Sequence, residues 1–235
     1  MPKDSFSFRK FTISQTQSAM KVGTDSVILA AWINVPHPHF ILDIGTGTGI
    51  LSLLMAERYI KAQITALEIS PEAIKDAQKN VKSSPWFDRI QIMEGDFREF
   101  KSELKFDLIL CNPPYFENSL HSPSILRNKA RHSDSLPFPI LIKGVQKNLS
   151  EKGIFAIILP AENAELIRHL AFEERLYTYR QTLICSKAHT PPKRIMLEFT
   201  KQLQLCHTDT LSIRTSDGIY TPEYRNLVEK YYQKM

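Results

Sequence analysis

Only three cysteines occur in the 235 residues, Cys111, Cys185 and Cys206. Their odd number and wide spacing leave no disulfide framework and no cysteine-based metal site. No metal is expected. No apolar run approaches the ~20 residues that a helix needs to span a bilayer. The most apolar early stretch, Val27 to Val35, is far too short. The first ten residues, MPKDSFSFRK, carry charges where a signal peptide has an apolar centre. There is no internal repeat and no low-complexity tract. Secreted disulfide scaffolds, membrane spans and repeat arrays are thereby set aside, and a cytoplasmic location is expected. What the chain has instead is a hydrophobic fraction of 43%, enough for a sizeable core. Its formal net charge of +5 is mildly basic. That suits a polyanionic partner without requiring one.

From Phe40 onward, short apolar runs alternate with helical ones. Strands are expected at 40–44, 63–69, 90–94, 106–110 and 153–160, then at about 176–185, 194–200 and 208–214. Helices are expected at 50–59, from Ser70-Pro71 to about Ser84, at 136–149, at 161–170, and from Pro222 to about Tyr232. Ser70 followed by Pro71 is a helix start, with Ser as cap and Pro at the first helical position. Strands alternating with helices predict an α/β fold with a parallel sheet covered on both faces. The late strands, with no long helix between them, predict an antiparallel pair at one edge. The chain reads as one domain, with 1–39 as an N-terminal segment and 201–235 as a C-terminal extension. In open α/β sheets the ligand lies beyond the carboxyl ends of the strands. The motifs that follow all sit at such ends.

After the first of these strands comes Asp43-Ile44-Gly45-Thr46-Gly47-Thr48-Gly49. This D-x-G-x-G-x-G spacing is not the dinucleotide pattern G-x-G-x-x-G, whose third glycine would fall on Ile50. Alternate glycines bring bare backbone close to a ligand, here an uncharged nucleoside. Glu68 ends the second strand. A carboxylate there accepts hydrogen bonds from both ribose hydroxyls and disfavours a 2′-phosphate. Asp96, in the turn after the third strand, is placed to face an adenine amino group, with Phe97 beside it to cover the ring. These residues together resemble the class I S-adenosylmethionine-dependent methyltransferases over about 40–200. The resemblance implies a Rossmann-like, mostly parallel seven-stranded sheet and S-adenosyl-L-methionine as methyl donor. It adds Asp43, Gly45, Gly47, Gly49, Ile69 and Asn112 to the residues that hold the donor.

The fourth strand runs into Asn112-Pro113-Pro114-Tyr115. Two prolines cannot continue a central strand. The tetrapeptide resembles the N-P-P-Y motif of methyltransferases that act on planar amide or exocyclic amino nitrogens. An adenine amino group is a poor nucleophile, because its lone pair is delocalised into the ring. Asn112 Oδ1 and the Pro113 carbonyl each accept one amino hydrogen and turn the lone pair toward the methyl. Proline biases Asn112 to an extended geometry. Tyr115 stacks on the flat target. Positioning supplies the acceleration, and no general base is needed.

Residues 11–32, FTISQTQSAMKVGTDSVILAAW, resemble the N-terminal segment of the bacterial tRNA1(Val) (adenine-37-N6)-methyltransferases. The resemblance extends to NPPYF, to ARHSDSLPF at 130–138 and to KAHTPPKRIMLEF at 187–199, nearly the whole chain. It implies N6-methylation of an adenine in a tRNA anticodon loop. It also implies that Lys21, Gly23, Thr24 and Asp25 lie at the methionine end of the donor. Lys3, Arg9, Lys10, Arg127, Lys129, Arg131, Lys187, Lys193 and Arg194 are candidates for tracking the RNA backbone. The competing readings are a protein glutamine N5-methyltransferase acting on a release factor and a ribosomal RNA base amino methyltransferase. The first normally adds a helical substrate domain, for which the residues before Phe40 are expected to be too few, and the second usually has Phe in place of Tyr115.

Overall fold

The computed structural model describes residues 4–18, 21–114 and 136–234. Tyr115, Lys3 and the basic residues at 127–131 lie outside the described residues. In chain order the strands and helices are β1 (Ser5–Ser7), β2 (Thr12–Ser14), α1 (Thr24–Trp32), β3 (Phe40–Ile44), α2 (Ile50–Arg58), β4 (Gln63–Glu68), α3 (Pro71–Lys82), β5 (Ile90–Glu94), β6 (Phe106–Cys111), α4 (Phe138–Asn148), β7 (Leu149–Pro160), α5 (Ala164–Glu173), β8 (Tyr177–Lys187), β9 (Arg194–Thr200), β10 (His207–Arg214) and α6 (Pro222–Val228). Ser70 caps α3 by accepting from the Ala73 amide at 3.3 Å, with Pro71 in the first turn. This is the start signal read from the sequence.

The main sheet has the order β10-β8-β9-β7-β6-β3-β4-β5. Strands β5, β4, β3, β6 and β7 are mutually parallel. The fold is the expected Rossmann-like α/β type, with two corrections. The sheet has eight strands, not seven, because β10 adds outside β8. The antiparallel element is also not an edge pair. Strand β9 runs antiparallel between β7 and β8, and the edge strand β10 is parallel to β8. The short turn from β8 to β9 forces their antiparallel pairing. With both sides of β9 already taken by β7 and β8, β10 can pair only on the far side of β8. Strands β8 and β10 therefore end at the same edge as β3, β4, β6 and β7.

Side chains alternate across the strands. In β6, Leu108 and Leu110 enter the core shared with α1 and α2, and Ile109 and Cys111 enter the core shared with α4 and α5. Cys111 is a small buried hydrophobe, as its apolar setting suggests. The N-terminal segment contributes a β1–β2 hairpin, which the sequence reading did not separate, and then α1. Helix α1 is buried from Ser26 to Trp32. Its far end is anchored by Trp32, whose indole N–H donates to Thr182 at 2.9 Å and whose ring lies 3.9 Å from the Arg180 guanidinium. Arg180 is in turn paired with the fully buried Glu198 at 2.7 Å. That anchorage fixes where the first turn of α1 meets the end of β6.

Candidate active site

All three glycines after β3 have left-handed backbone, with φ of +68° at Gly45, +58° at Gly47 and +82° at Gly49. Residues with a Cβ rarely adopt it, which accounts for their alternate spacing. Asp43 organises the loop from below. Its Oδ2 accepts from Thr46 Oγ1 at 2.6 Å, from Ser52 Oγ at 2.7 Å and from the Ser52 amide at 3.1 Å. Its Oδ1 is buried and has no hydrogen-bond partner among the described residues. Burial, assisted by the negative charge of Glu68, pushes the Asp43 carboxyl up to about 6 against the bonds from Thr46 and Ser52.

This shift has a definite sign. The folded protein binds the Asp43 proton near pH 6, whereas the unfolded chain binds it only near 3.8. The folded state thus holds more protons in between, and stability falls as pH rises through that window. Asp43 contributes a stability that is complete below about pH 4 and lost above 6, on the order of 3 kcal/mol. Urea unfolding across pH 4 to 7 is expected to lose this component of its slope in Asp43→Asn. An unchanged slope would assign the pH dependence elsewhere.

Glu68 is buried at the end of β4. Its Oε2 accepts from the Gly47 amide at 2.8 Å, and its Oε1 from the amides of Ile69 at 2.9 Å and Ser70 at 3.0 Å. The carboxylate therefore joins the glycine loop to the start of α3. Next to it, Ile69 is 47% exposed, an apolar surface open to a flat ligand. Asp96 follows β5, and its carboxylate accepts from the Arg98 amide at 2.8 Å and from Arg98 Nε at 2.6 Å. The Arg98 guanidinium holds the Asp96 carboxyl below its usual range. An adenine amino group would have to share Asp96 with Arg98.

Phe97 does not stand where the sequence reading placed it. It is buried in the core on the α4 side and stacks with Phe100 at 6.0 Å. A Cβ on Gly144 would come within 2.5 Å of its ring. The absence of a side chain at Gly144 lets α4 close over Phe97, so the ring packs the core instead of covering a base. Lys21 is also differently engaged. Its ammonium donates to the Gln15 carbonyl, while Gln15 Oε1 accepts from the Val22 amide at 2.7 Å. Gly23 is the extended residue before α1, and Thr24 and Asp25 form its first turn.

The end of β6 meets that first turn. Asn112 Nδ2 donates to Ser26 Oγ at 2.8 Å, and Ser26 is buried. This bond ties the carboxamide nitrogen to the first turn of α1. Asn112 and Pro113 are partly exposed and Pro114 exposed. Ser26 was missed in the sequence, although a hydroxyl directly before the apolar run VILAAW is the signal that was there. Asp76 and Asn80, one turn apart on α3, were missed too. Asp76 accepts from the amides of Gln17 at 3.0 Å and Ser18 at 2.8 Å. Asn80 accepts from the Ser14 amide at 2.7 Å and donates to the carbonyls of Ser14 at 2.8 Å and Thr48 at 2.9 Å. Asp76 holds the N-terminal segment to α3, and Asn80 joins it to the glycine loop as well.

Several candidate RNA-tracking cations are committed to the protein. Arg194 pairs with Asp25 at 3.1 Å, Lys10 pairs with Glu57 at 3.1 Å, and Arg9 donates to the Tyr232 carbonyl at 2.7 Å. Charge reversal at Arg194 would therefore disturb α1 as well as any RNA contact. Among the described residues there is no cluster of potential metal ligands, and no helix is long and apolar enough to cross a membrane.

The strand order, the glycine loop and the acidic strand ends together define a methyltransferase sheet, and residues 39–220 match the family described as a methyltransferase domain. Solved structures agree on the fold. A predicted O-methyltransferase from Agrobacterium tumefaciens superposes with a TM-score of 0.70 at 19% identity, over 90% of this chain and 99% of that one. A glycopeptide N-methyltransferase complexed with S-adenosyl-L-methionine gives 0.59 at 14% identity, over 79% and 96%. The chain belongs to the tRNA1(Val) (adenine(37)-N6)-methyltransferase family. It is 42% identical to the member from Bacteroides thetaiotaomicron over 97% of this chain and 96% of that protein. It is 43% identical to the member from Phocaeicola vulgatus over the full length of both.

Proposed function

We propose that this protein transfers a methyl group from S-adenosyl-L-methionine to N6 of adenine 37 in the anticodon loop of tRNA1(Val), in the cytoplasm. The observation that carries this reading is the Asn112 carboxamide, held by Ser26 at the end of β6 one strand from the glycine loop. The family name of its relatives supplies the nucleotide and the RNA.

The residues present fit the donor. At Gly45 and Gly47 a Cβ would meet nothing within 4 Å, so the loop faces open space. Glu68 Oε2 accepts from the Gly47 amide and keeps acceptor capacity for a ribose hydroxyl. Ile69 offers the apolar surface and Asp96 the acceptor that an adenine requires. The unspent Asp43 Oδ1 and the first turn of α1, with Gly23, Thr24 and Asp25, would face the methionine end. When bound, S-adenosyl-L-methionine supplies an electrophilic methyl on its sulfonium. Asn112 Oδ1 and the Pro113 carbonyl accept the two amino hydrogens of the target and orient its lone pair. Tyr115, by family resemblance, stacks on the base. A loop adenine is already unpaired, so bringing it to Asn112 costs less than extrusion from a duplex.

The test is transfer of labelled methyl to tRNA that lacks modifications, followed by nucleoside analysis. The expected product is N6-methyladenosine. Label in a protein glutamine, or none in RNA with the donor still bound, would overturn the assignment.

A further inference from the structure

Strand β10 lies outside the seven strands expected of the fold, and it ends at the edge that carries the site. Moving along that edge from Asn112, the strands are β6, β7, β9, β8 and β10. Four strand spacings amount to ~19 Å. Three successive strands here end or begin in cations. Lys193 and Arg194 open β9 opposite Pro160, Lys187 closes β8, and Arg214 closes β10. Arg194 is taken by Asp25. Among the described residues, Lys187, Lys193 and Arg214 form no ion pair.

Lys187 and Arg214 are direct register partners, so their side chains leave the same face of the sheet side by side. Like charges in that arrangement repel and destabilise the pair. The backbone nevertheless holds them there. The Ala188 amide donates to the Arg214 carbonyl at 2.8 Å, the Lys193 amide to Ile184 at 2.9 Å, and the Ala161 amide to Lys193 at 3.2 Å. The Arg214 guanidinium lies over the Tyr220 ring at 4.1 Å and donates to the Gly218 carbonyl at 2.5 Å. The strand ends thus gather Lys193, Lys187 and Arg214 at one edge of the sheet, where a polyanion would meet several positive charges at once.

We propose that this row is a phosphate rail for the RNA flanking the target loop. Lys193 and Lys187 contact its backbone, while Arg214, held by Tyr220 and Gly218, adds positive charge beside them, and β10 thereby sets the angle at which the RNA stem leaves the site. This rests on the tRNA reading above and deepens it. Such contacts carry no base information and show themselves through salt.

The experiment measures binding of unmodified tRNA over a salt series, with donor affinity in parallel, for the wild type, Lys187→Glu, Lys187→Glu/Lys193→Glu and Arg214→Gln. The exposed lysines at 187 and 193 can be reversed without burying charge. The double variant is expected to bind tRNA at least about tenfold more weakly, and the salt slope to flatten by about 1.5 to 2. Donor affinity should stay within twofold. Arg214→Gln is expected to weaken tRNA binding in the same direction. Wild-type slope and affinity in the double variant would overturn the rail while leaving the tRNA reading intact. Failure of the wild type itself to label or bind tRNA would overturn both.

Discussion

Asn112→Ala is expected to lower the rate of methyl transfer by about 10²- to 10³-fold, the usual cost of removing one group that acts on the reacting atoms. The side chain is only partly buried, and Ser26 Oγ can rotate to another partner once Nδ2 is gone. The stability cost should therefore be about 1 kcal/mol. A rate loss of that size with a nearly unchanged melting temperature would separate chemistry from folding. Single-turnover transfer at saturating donor and tRNA is the measurement. Asn112→Asp should fall less far, since it keeps the acceptors and Ser26 can donate to it. A fully active Asn112→Ala would take the carboxamide out of the mechanism.

Glu68→Gln should produce the second large effect, on donor binding and on stability together. The carboxylate accepts from three backbone amides, in Gly47, Ile69 and Ser70. A carboxamide of the same shape has one oxygen, so an N–H must face an N–H on one side. Hydrogen bonds to a charged group are each worth about 1.5–3 kcal/mol. Losing those on one side should lower the melting temperature by about 5–10 °C. Donor affinity should fall about 100-fold, because the glycine loop loses its tie to β4 and the ribose loses an acceptor. Calorimetric titration of the variant with S-adenosyl-L-methionine reads the affinity, and a calorimetric temperature scan reads the melting temperature. Normal affinity would move the ribose contact to another residue.

Local patterns carried most of what positions the site. Asn112-Pro113-Pro114 ends β6 because proline cannot pair there, and Ser70-Pro71 opens α3 because each residue suits its place. Asp43 and the alternate glycines lie within ten residues of one another, so their turn could be read directly. The failures involve contacts between residues far apart in the chain. Phe97 was assigned to a ligand because it adjoins Asp96, but its place was decided by Gly144 on α4. Lys21 was read toward the donor and Arg194 toward RNA, but Gln15 and Asp25, distant in sequence or unmarked by any pattern, engage them. The pairing of β10 with β8 depends on which strand flanks were already filled, which no local periodicity encodes.

The Asn80 carboxamide holds Ser14 on one side and the Thr48 carbonyl on the other. The hairpin segment and the glycine loop then cannot open one at a time without breaking bonds of the same side chain. They should behave as one cooperative opening unit in native-state hydrogen exchange, with a shared protection free energy. A donor bound in the glycine loop would slow exchange at Ser14, whose amide Asn80 holds, more than thirty residues away along the chain. Occupancy of the site would thus be readable from an amide that never touches the ligand.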